Sequence, residues 1–221
     1  MWEALQSRIL RTRLLHDDRL YVGMNRTKTL KRLFDIALVL FSAPLALVVI
    51  LVAAIIVRAG SPGPALFRQR RVGFGERQFT LFKLRTMLID MDDRPSHEAS
   101  PAQVTKSGRV FRRLKIDELP QLWNVLTGSM SLVGPRPCLP GQRALITARR
   151  ASNAFSVRPG ITGPAQLAGI DMSTPERLAE VDGTYAHRNN LCGDIRLVIQ
   201  TITGGGRYDG VGRAVDRDGS I

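Results

Sequence analysis

Cysteine is nearly absent from this chain. Cys138 and Cys192 stand far apart, no Cys-x-x-Cys occurs, and His16, His97 and His187 keep no ligand spacing with them. That excludes a disulfide scaffold and a zinc site, and it suits free thiols in a reducing compartment. Acidic residues are also scarce: 19 Asp and Glu face 32 Lys and Arg, a formal charge of +13 over 221 residues. Such a surplus calls for an acidic partner, be it nucleic acid, anionic lipid or a phosphorylated substrate. Aromatics make up only 6% of the chain. No basic strand is studded with them and no recognition-helix pattern occurs, which argues against nucleic acid. Internal repeats are absent, and the length suits one medium catalytic domain with an appendage.

Charge is missing altogether between Asp35 and Arg58. The run from Leu33 to Val57 is long enough to cross a hydrocarbon core, which takes about 20 residues. Ser42-Ala43-Pro44 sits in its middle, where proline withdraws a backbone donor and crowds the preceding turn, so a helix-break-helix is expected with its break at Ser42 and Pro44. Both flanks are basic: Arg26, Lys28, Lys31 and Arg32 before, Arg58, Arg68, Arg70 and Arg71 after. A spanning helix would put one basic flank on the far side. A re-entrant helix that dips in and returns keeps both at the cytoplasmic leaflet. Asp35 follows Lys31 by four residues and Arg32 by three, close enough to be neutralised at the interface. Upstream, Trp2, Leu5, Ile9, Leu10 and Leu14 alternate with arginines over residues 1–27, a pattern for a basic amphipathic extension on the lipid surface.

Arg58-Ala59-Gly60-Ser61-Pro62-Gly63-Pro64 breaks the chain and opens the globular part. Ala65–Gln69 and Phe79–Arg85, either side of Gly73-Phe74-Gly75, predict a β-hairpin. Residues 88–106 are polar, with Asp92-Asp93, Pro95 and Pro101, and predict a surface loop. Helices are expected over 109–116, 120–127, 139–150, 175–188 and 194–203. The Gly-rich tail over 204–221 is expected to be disordered. The organisation is thus a 1–27 extension, a re-entrant helix over 28–58, a catalytic domain over 59–203 and a tail. In class it is an irregular α/β, membrane-associated protein, a compact cytoplasmic domain of helices and a short β-hairpin behind a re-entrant anchor.

The chemistry concentrates at Asp117-Glu118. Arg112, Arg113 and Lys115 precede this pair and Leu119-Pro120 follows it. Two adjacent carboxylates among guanidinium groups suit work on a phosphate, because the cations hold the phosphate and keep the acids ionised. The plainer reading of an Asp-Glu pair before proline is a capped helix start. Arg136 between two prolines and Arg158 before Pro159-Gly160 lie in stiff turns, which fix a guanidinium in place for phosphate; otherwise each is a turn arginine in water.

These segments carry a resemblance in their order. Lys31-Arg32-x-x-Asp35 precedes an apolar run with a central proline. Phe67-x-Gln69-x-Arg71-x-Gly73, Phe82-Lys83-x-Arg85-Thr86-Met87 and Asp117-Glu118-Leu119-Pro120-Gln121 follow. Val133-Gly134-Pro135-Arg136-Pro137 and Arg158-Pro159-Gly160-Ile161-Thr162-Gly163 complete the series. The chain resembles the bacterial sugar transferases, the monotopic polyprenyl-phosphate phosphoglycosyl transferases in their small form, from about Thr29 to about Thr201. It departs from them in its N-terminal extension, in Ser-Ala-Pro for an adjacent Ser-Pro, and in its Gly-rich tail.

The resemblance implies transfer of a sugar-1-phosphate from a nucleotide-diphosphate sugar, UDP-linked, to polyprenyl (undecaprenyl) phosphate at the cytoplasmic face of a bacterial inner membrane, opening a surface-glycan pathway. It makes Asp117 the nucleophile and gives Glu118 metal positioning or proton handling. Lys83, Arg112, Arg136 and Arg158 become contacts to the diphosphate. A hard divalent ion suits carboxylate and diphosphate together, so Mg²⁺ at Asp117 and Glu118 is the expected cofactor. Inner-membrane lipids are the expected surroundings, nucleic acid is not an expected partner, and pairing as a homodimer stays open. The rival reading is a basic, membrane-tethered binding protein without chemistry.

Overall fold

The computed structural model describes residues 2–88 and 104–204, with side chains from residue 28 onward. The side chains of the 1–27 extension, most of the polar loop and the tail beyond Gly204 lie outside the described residues, so the amphipathic face, the loop and the disorder expected there are not tested.

The first element, α1, runs from Trp2 to Gly60. The chain stays helical through Ser42, Ala43 and Pro44, so the expected helix-break-helix is one helix. Pro44 withdraws a single backbone donor, and Ser42 Oγ donates to Val39 O at 3.1 Å beside that gap; both features favour a bend without interrupting the helix. Within α1, Lys28–Gly60 is long and apolar enough to cross a membrane. Its middle is bare: Phe41 is 86% and Leu45 73% exposed. Its two ends are not. Val39 packs with Leu81, Val125 and Met130, while Ala53 and Val57 pack with Leu84 and Phe111.

The expected hairpin forms. Strands β1 (Leu66–Val72) and β2 (Gln78–Leu84) pair antiparallel, Phe67 opposite Lys83, and Gly75 turns the chain with φ of 58°. Helix α2 (Lys106–Arg113) starts on the Thr105 side chain, which accepts from Gly108 N, and buries Gly108 and Phe111. Then Lys115 takes a left-handed φ of 57° and the chain makes a short 3-10 turn, Ile116–Glu118, before α3 (Gln121–Leu126). The helix expected over 109–116 therefore ends at Arg113, and the acid pair sits in its own turn rather than opening a helix. Asn124 fastens α3 to β2: its Nδ2 donates to Thr80 O at 2.7 Å and Phe82 N donates to its Oδ1 at 3.2 Å.

Strand β3 (Ser131–Val133) runs parallel to β4 (Gly160–Thr162), a pair that the sequence did not announce. Three residues are too few to show alternation. What brings them together is glycine: a methyl on Gly134 would overlap Arg158 O, and one on Gly160 would overlap Gly134 N. Helices α4 (Arg143–Ala151), α5 (Pro164–Leu167), α6 (Pro175–Arg188) and α7 (Leu191–Ile202) complete the domain. Of these, α6 has the expected bounds. Asn190 caps α7 three residues earlier than expected, its side chain accepting from Gly193 N at 2.8 Å. A core of Val72, Cys138, Leu145, Ala165 and Leu178 lies under α4, α5 and α6.

Candidate active site

Five of the expected residues converge. From β2, Lys83 Nζ donates to Glu118 Oε1 at 3.0 Å; from the segment after β3, Arg136 Nη2 donates to the same oxygen at 3.1 Å. Asp117 lies beside them, 6% exposed. Arg112, at the end of α2, adds its positive charge toward Asp117.

The two acids differ because their neighbours do. Burial pushes both carboxyls up. At Glu118 the Lys83 ammonium and the Arg136 guanidinium outweigh it and hold the group well below the usual carboxylate range. At Asp117 burial wins: Lys83 pulls down, the negative Glu118 pushes up, and the carboxyl rises to about 6. No hydrogen bond from a described residue occupies the Asp117 carboxylate. Glu118 is thus the fixed anion that gathers cations, and Asp117 the more basic one, ionised above about pH 6. A more basic oxygen is the better nucleophile. Burial also lowers Lys83, while Glu118 beside it holds it up.

Ser131, Pro135 and Arg136 are placed by the glycine contact between β3 and β4. Two buried arginines grip the stretch that follows. Arg149 Nη1 donates to Arg136 O at 2.8 Å, and Arg71 Nη1 to Pro137 O at 3.1 Å. Sequence reasoning named Arg71 only within a motif and in the basic flank of the apolar run, and passed over Arg149 and Asn124. For Arg149 the signal was weak, an Arg-Arg pair at the end of a helix.

Arg158 is engaged elsewhere. Its Nε donates to Gly128 O at 2.9 Å beyond the far end of α3, near Arg32, whose Nη2 donates to Leu126 O at 2.9 Å. The described contacts do not bring it to the acid pair. Ser42 and Pro44 lie in the exposed stretch of α1, remote in sequence from these residues.

Among the described residues no group of three or more His, Cys, Asp or Glu could hold a metal. A cation caged by protein alone does not fit. The Asp117 carboxylate, which takes no hydrogen bond from a described residue, does fit Mg²⁺ with Glu118 next to it, since this ion commonly takes one or two carboxylates and completes its shell with substrate phosphate and water.

A buried carboxylate poised between cations, under a strand lysine and a turn arginine, defines a site able to hold a phosphate ester against an oxygen nucleophile. The chain belongs to the bacterial sugar transferase family, whose model matches residues 26–205. It is 39% identical over 173 residues to an uncharacterized sugar transferase, EpsL, of Bacillus subtilis, covering 78% of this chain and 85% of that one. It is also 39% identical over 182 residues to the UDP-glucose:undecaprenyl-phosphate glucose-1-phosphate transferase of Caulobacter vibrioides, covering 78% of this chain and 68% of the relative. A third relative, at 37% over 183 residues, is the UDP-N-acetylgalactosamine-undecaprenyl-phosphate N-acetylgalactosaminephosphotransferase of Aeromonas hydrophila, with 78% of this chain and 43% of the relative covered.

Proposed function

We propose that this protein transfers a sugar-1-phosphate from a UDP-sugar to polyprenyl phosphate through a covalent intermediate on Asp117. The observation that carries it is the contrast within the acid pair: Glu118 takes up Lys83 and Arg136, and Asp117 is left basic and without a hydrogen bond from a described residue. An Asp117 oxygen attacks the phosphorus that bears the sugar, the bond from that phosphorus to the bridging oxygen breaks, and UMP departs with the electron pair. An oxygen of the lipid phosphate then attacks the same phosphorus, frees the Asp117 carboxylate and yields polyprenyl-diphosphate-sugar. Lys83, Arg112 and Arg136 offset the charge of the diphosphate during both steps. Bound at Asp117 and Glu118, Mg²⁺ would supply further neutralisation of diphosphate charge.

Relatives of similar identity, 39% and 37%, act on glucose and on N-acetylgalactosamine by name, so the sugar is left as a class. The product is a lipid-linked sugar, an acceptor for further glycosyl transfer, which fits a first membrane step of a surface glycan.

The same proposal places the domain on the cytoplasmic face with α1 re-entrant. Supporting this, residues on both sides of Pro44 hold the same globular body: Lys31, Arg32, Asp35 and Val39 on one side, Ala53 and Val57 on the other. A helix that crossed the bilayer would carry one of these ends away from the domain. Cysteines placed at Lys28 and Ser61 should both react with a reagent confined to the cytoplasm and neither with one confined to the periplasm; periplasmic labelling of either would make the helix a span.

The covalent step is tested by isotope exchange. Labelled UMP should enter the UDP-sugar with no lipid acceptor present, and Asp117→Asn should lower exchange and net transfer at least roughly a thousandfold while leaving membrane extraction unchanged. Exchange that strictly requires polyprenyl phosphate would replace the covalent route with direct displacement.

A further inference from the structure

We propose that the buried ion pair Arg149–Asp182 is a positioning device for Arg136, setting the guanidinium that meets Glu118 from behind through the peptide bond. This rests on the reading of the acid pair as the reacting site.

Arg149 is the largest fully buried side chain described, 1% exposed. A guanidinium in that position needs partners in every direction. Its Nε and Nη2 both donate to Asp182 Oδ2, at 2.9 and 2.6 Å. This leaves Nη1 pointing the other way, where it donates to the carbonyl of Arg136 at 2.8 Å. The arrangement joins α4, α6 and the Pro135-Arg136-Pro137 segment at one planar group. Asp182 is itself fully buried on α6, and Gly183 beside it lets α6 approach the Ser152 backbone without a side chain between them.

The next carbonyl along, that of Pro137, is held in the same manner by Arg71, whose Nε is in turn held by Gln69 Oε1 at 2.9 Å. Consecutive carbonyls are thus fixed by two guanidiniums, and Cys138 O accepts from Val72 N at 2.9 Å just beyond. A segment with two prolines has few backbone donors of its own to tie it down, so its carbonyls are what can be gripped. A tie at the Arg136 carbonyl sets the direction of its own Cα–Cβ bond, and hence where Nη2 lands relative to Glu118.

A lysine cannot reproduce this, since one ammonium lacks the planar fork that reaches Asp182 and the carbonyl in opposite directions. The test compares Arg149→Lys, Arg136→Gln and the double variant in the full-length detergent-solubilised enzyme. In a two-step transfer, kcat/KM for the UDP-sugar and for the lipid phosphate report separate half-reactions, and their ratio is independent of how much protein is active. Arg136→Gln should move this ratio about tenfold, Arg149→Lys should move it in the same direction, and the double variant should be no worse than Arg136→Gln alone. An Arg149→Lys enzyme of reduced thermal stability with an unchanged ratio, or a double variant whose losses multiply, would make Arg149 a packing residue only.

If Arg149→Lys does not fold, Asp182→Asn carries the same comparison, since it loosens the grip from the other side. Hydrogen exchange over residues 131–138 gives a readout that owes nothing to turnover. It should rise in either variant while exchange in α6 outside the substituted turn stays put. A wild-type enzyme without UMP exchange, together with this local loosening, would sink the reaction proposal and spare the positioning; turnover with no loosening would do the reverse.

Discussion

At the scale of single residues the site works by an unequal division of positive charge. Lys83 and Arg136 both settle on one oxygen of Glu118, and burial then lifts Asp117 to about 6. Activity should therefore rise with pH through an acid limb near 6, read from kcat/KM for the UDP-sugar. Removing a cation that favours the ionised form should move this limb upward, so Arg136→Gln should show it at higher pH than the wild type. The raised value also has a stability side. A carboxyl with a higher pKa folded than unfolded gives a contribution fully present below about pH 4 and lost as pH rises through about 6. Above that, ionised Asp117 costs on the order of 3 kcal/mol. Asp117→Asn should then melt at a higher temperature than the wild type at pH 8 and lose this advantage near pH 4, while remaining inactive. If Mg²⁺ completes the site, chelation with EDTA should abolish turnover and added Mg²⁺ restore it; full activity after exhaustive chelation would remove the ion from the mechanism.

At the scale of elements, Asn124 is the joint that sets the acid turn against Lys83. Asn124→Ala strands the Phe82 donor and the Thr80 acceptor in a half-buried place, which should cost on the order of 1 to 3 kcal/mol, seen as a lower denaturation midpoint, and should weaken activity more than stability alone explains. Which elements the sequence announced follows from which signals are local. The hairpin was legible from two alternating runs around glycines, and α6 from its proline start and helical period. The acid pair and its cations were legible as residue types. Their convergence was not, because Lys83 and Glu118 come from separate elements that meet through Asn124 and through the packing of Leu84 with Phe111 and Ile116. The β3–β4 pair was hidden for a similar reason: it depends on glycines that let backbones touch, and a glycine in sequence does not say what it will touch. The Lys115 reversal that puts Asp117 and Glu118 in a turn of their own had no local signal either, since lysine seldom adopts that conformation.

At the scale of the whole molecule, the membrane helix and the globular body are one structure. Lys31 Nζ forms an ion pair with Asp194 and donates to Val133 O at 3.1 Å, Tyr185 Oη donates to Asp194 Oδ1 at 2.7 Å, and Ser131 Oγ donates to Asp35 Oδ2 at 2.7 Å. Breaking one side of a buried pair is costlier than removing both. Lys31→Met should destabilise by about 3 kcal/mol, and Lys31→Met with Asp194→Leu should recover part of that, measured by thermal denaturation in detergent. The order of the chain gives this latch a further meaning. Its first member is residue 31 and its last is residue 194, so on the ribosome the apolar helix emerges long before the carboxylate that neutralises Lys31. Until Ser131 and Val133 are out, Lys31 and Asp35 have only their neighbours on the helix at the edge of the lipid, and Lys31 then waits for the Asp194 carboxylate. The helix is thus held in a provisional posture while the whole globular body is made behind it, and its final seating waits for α7.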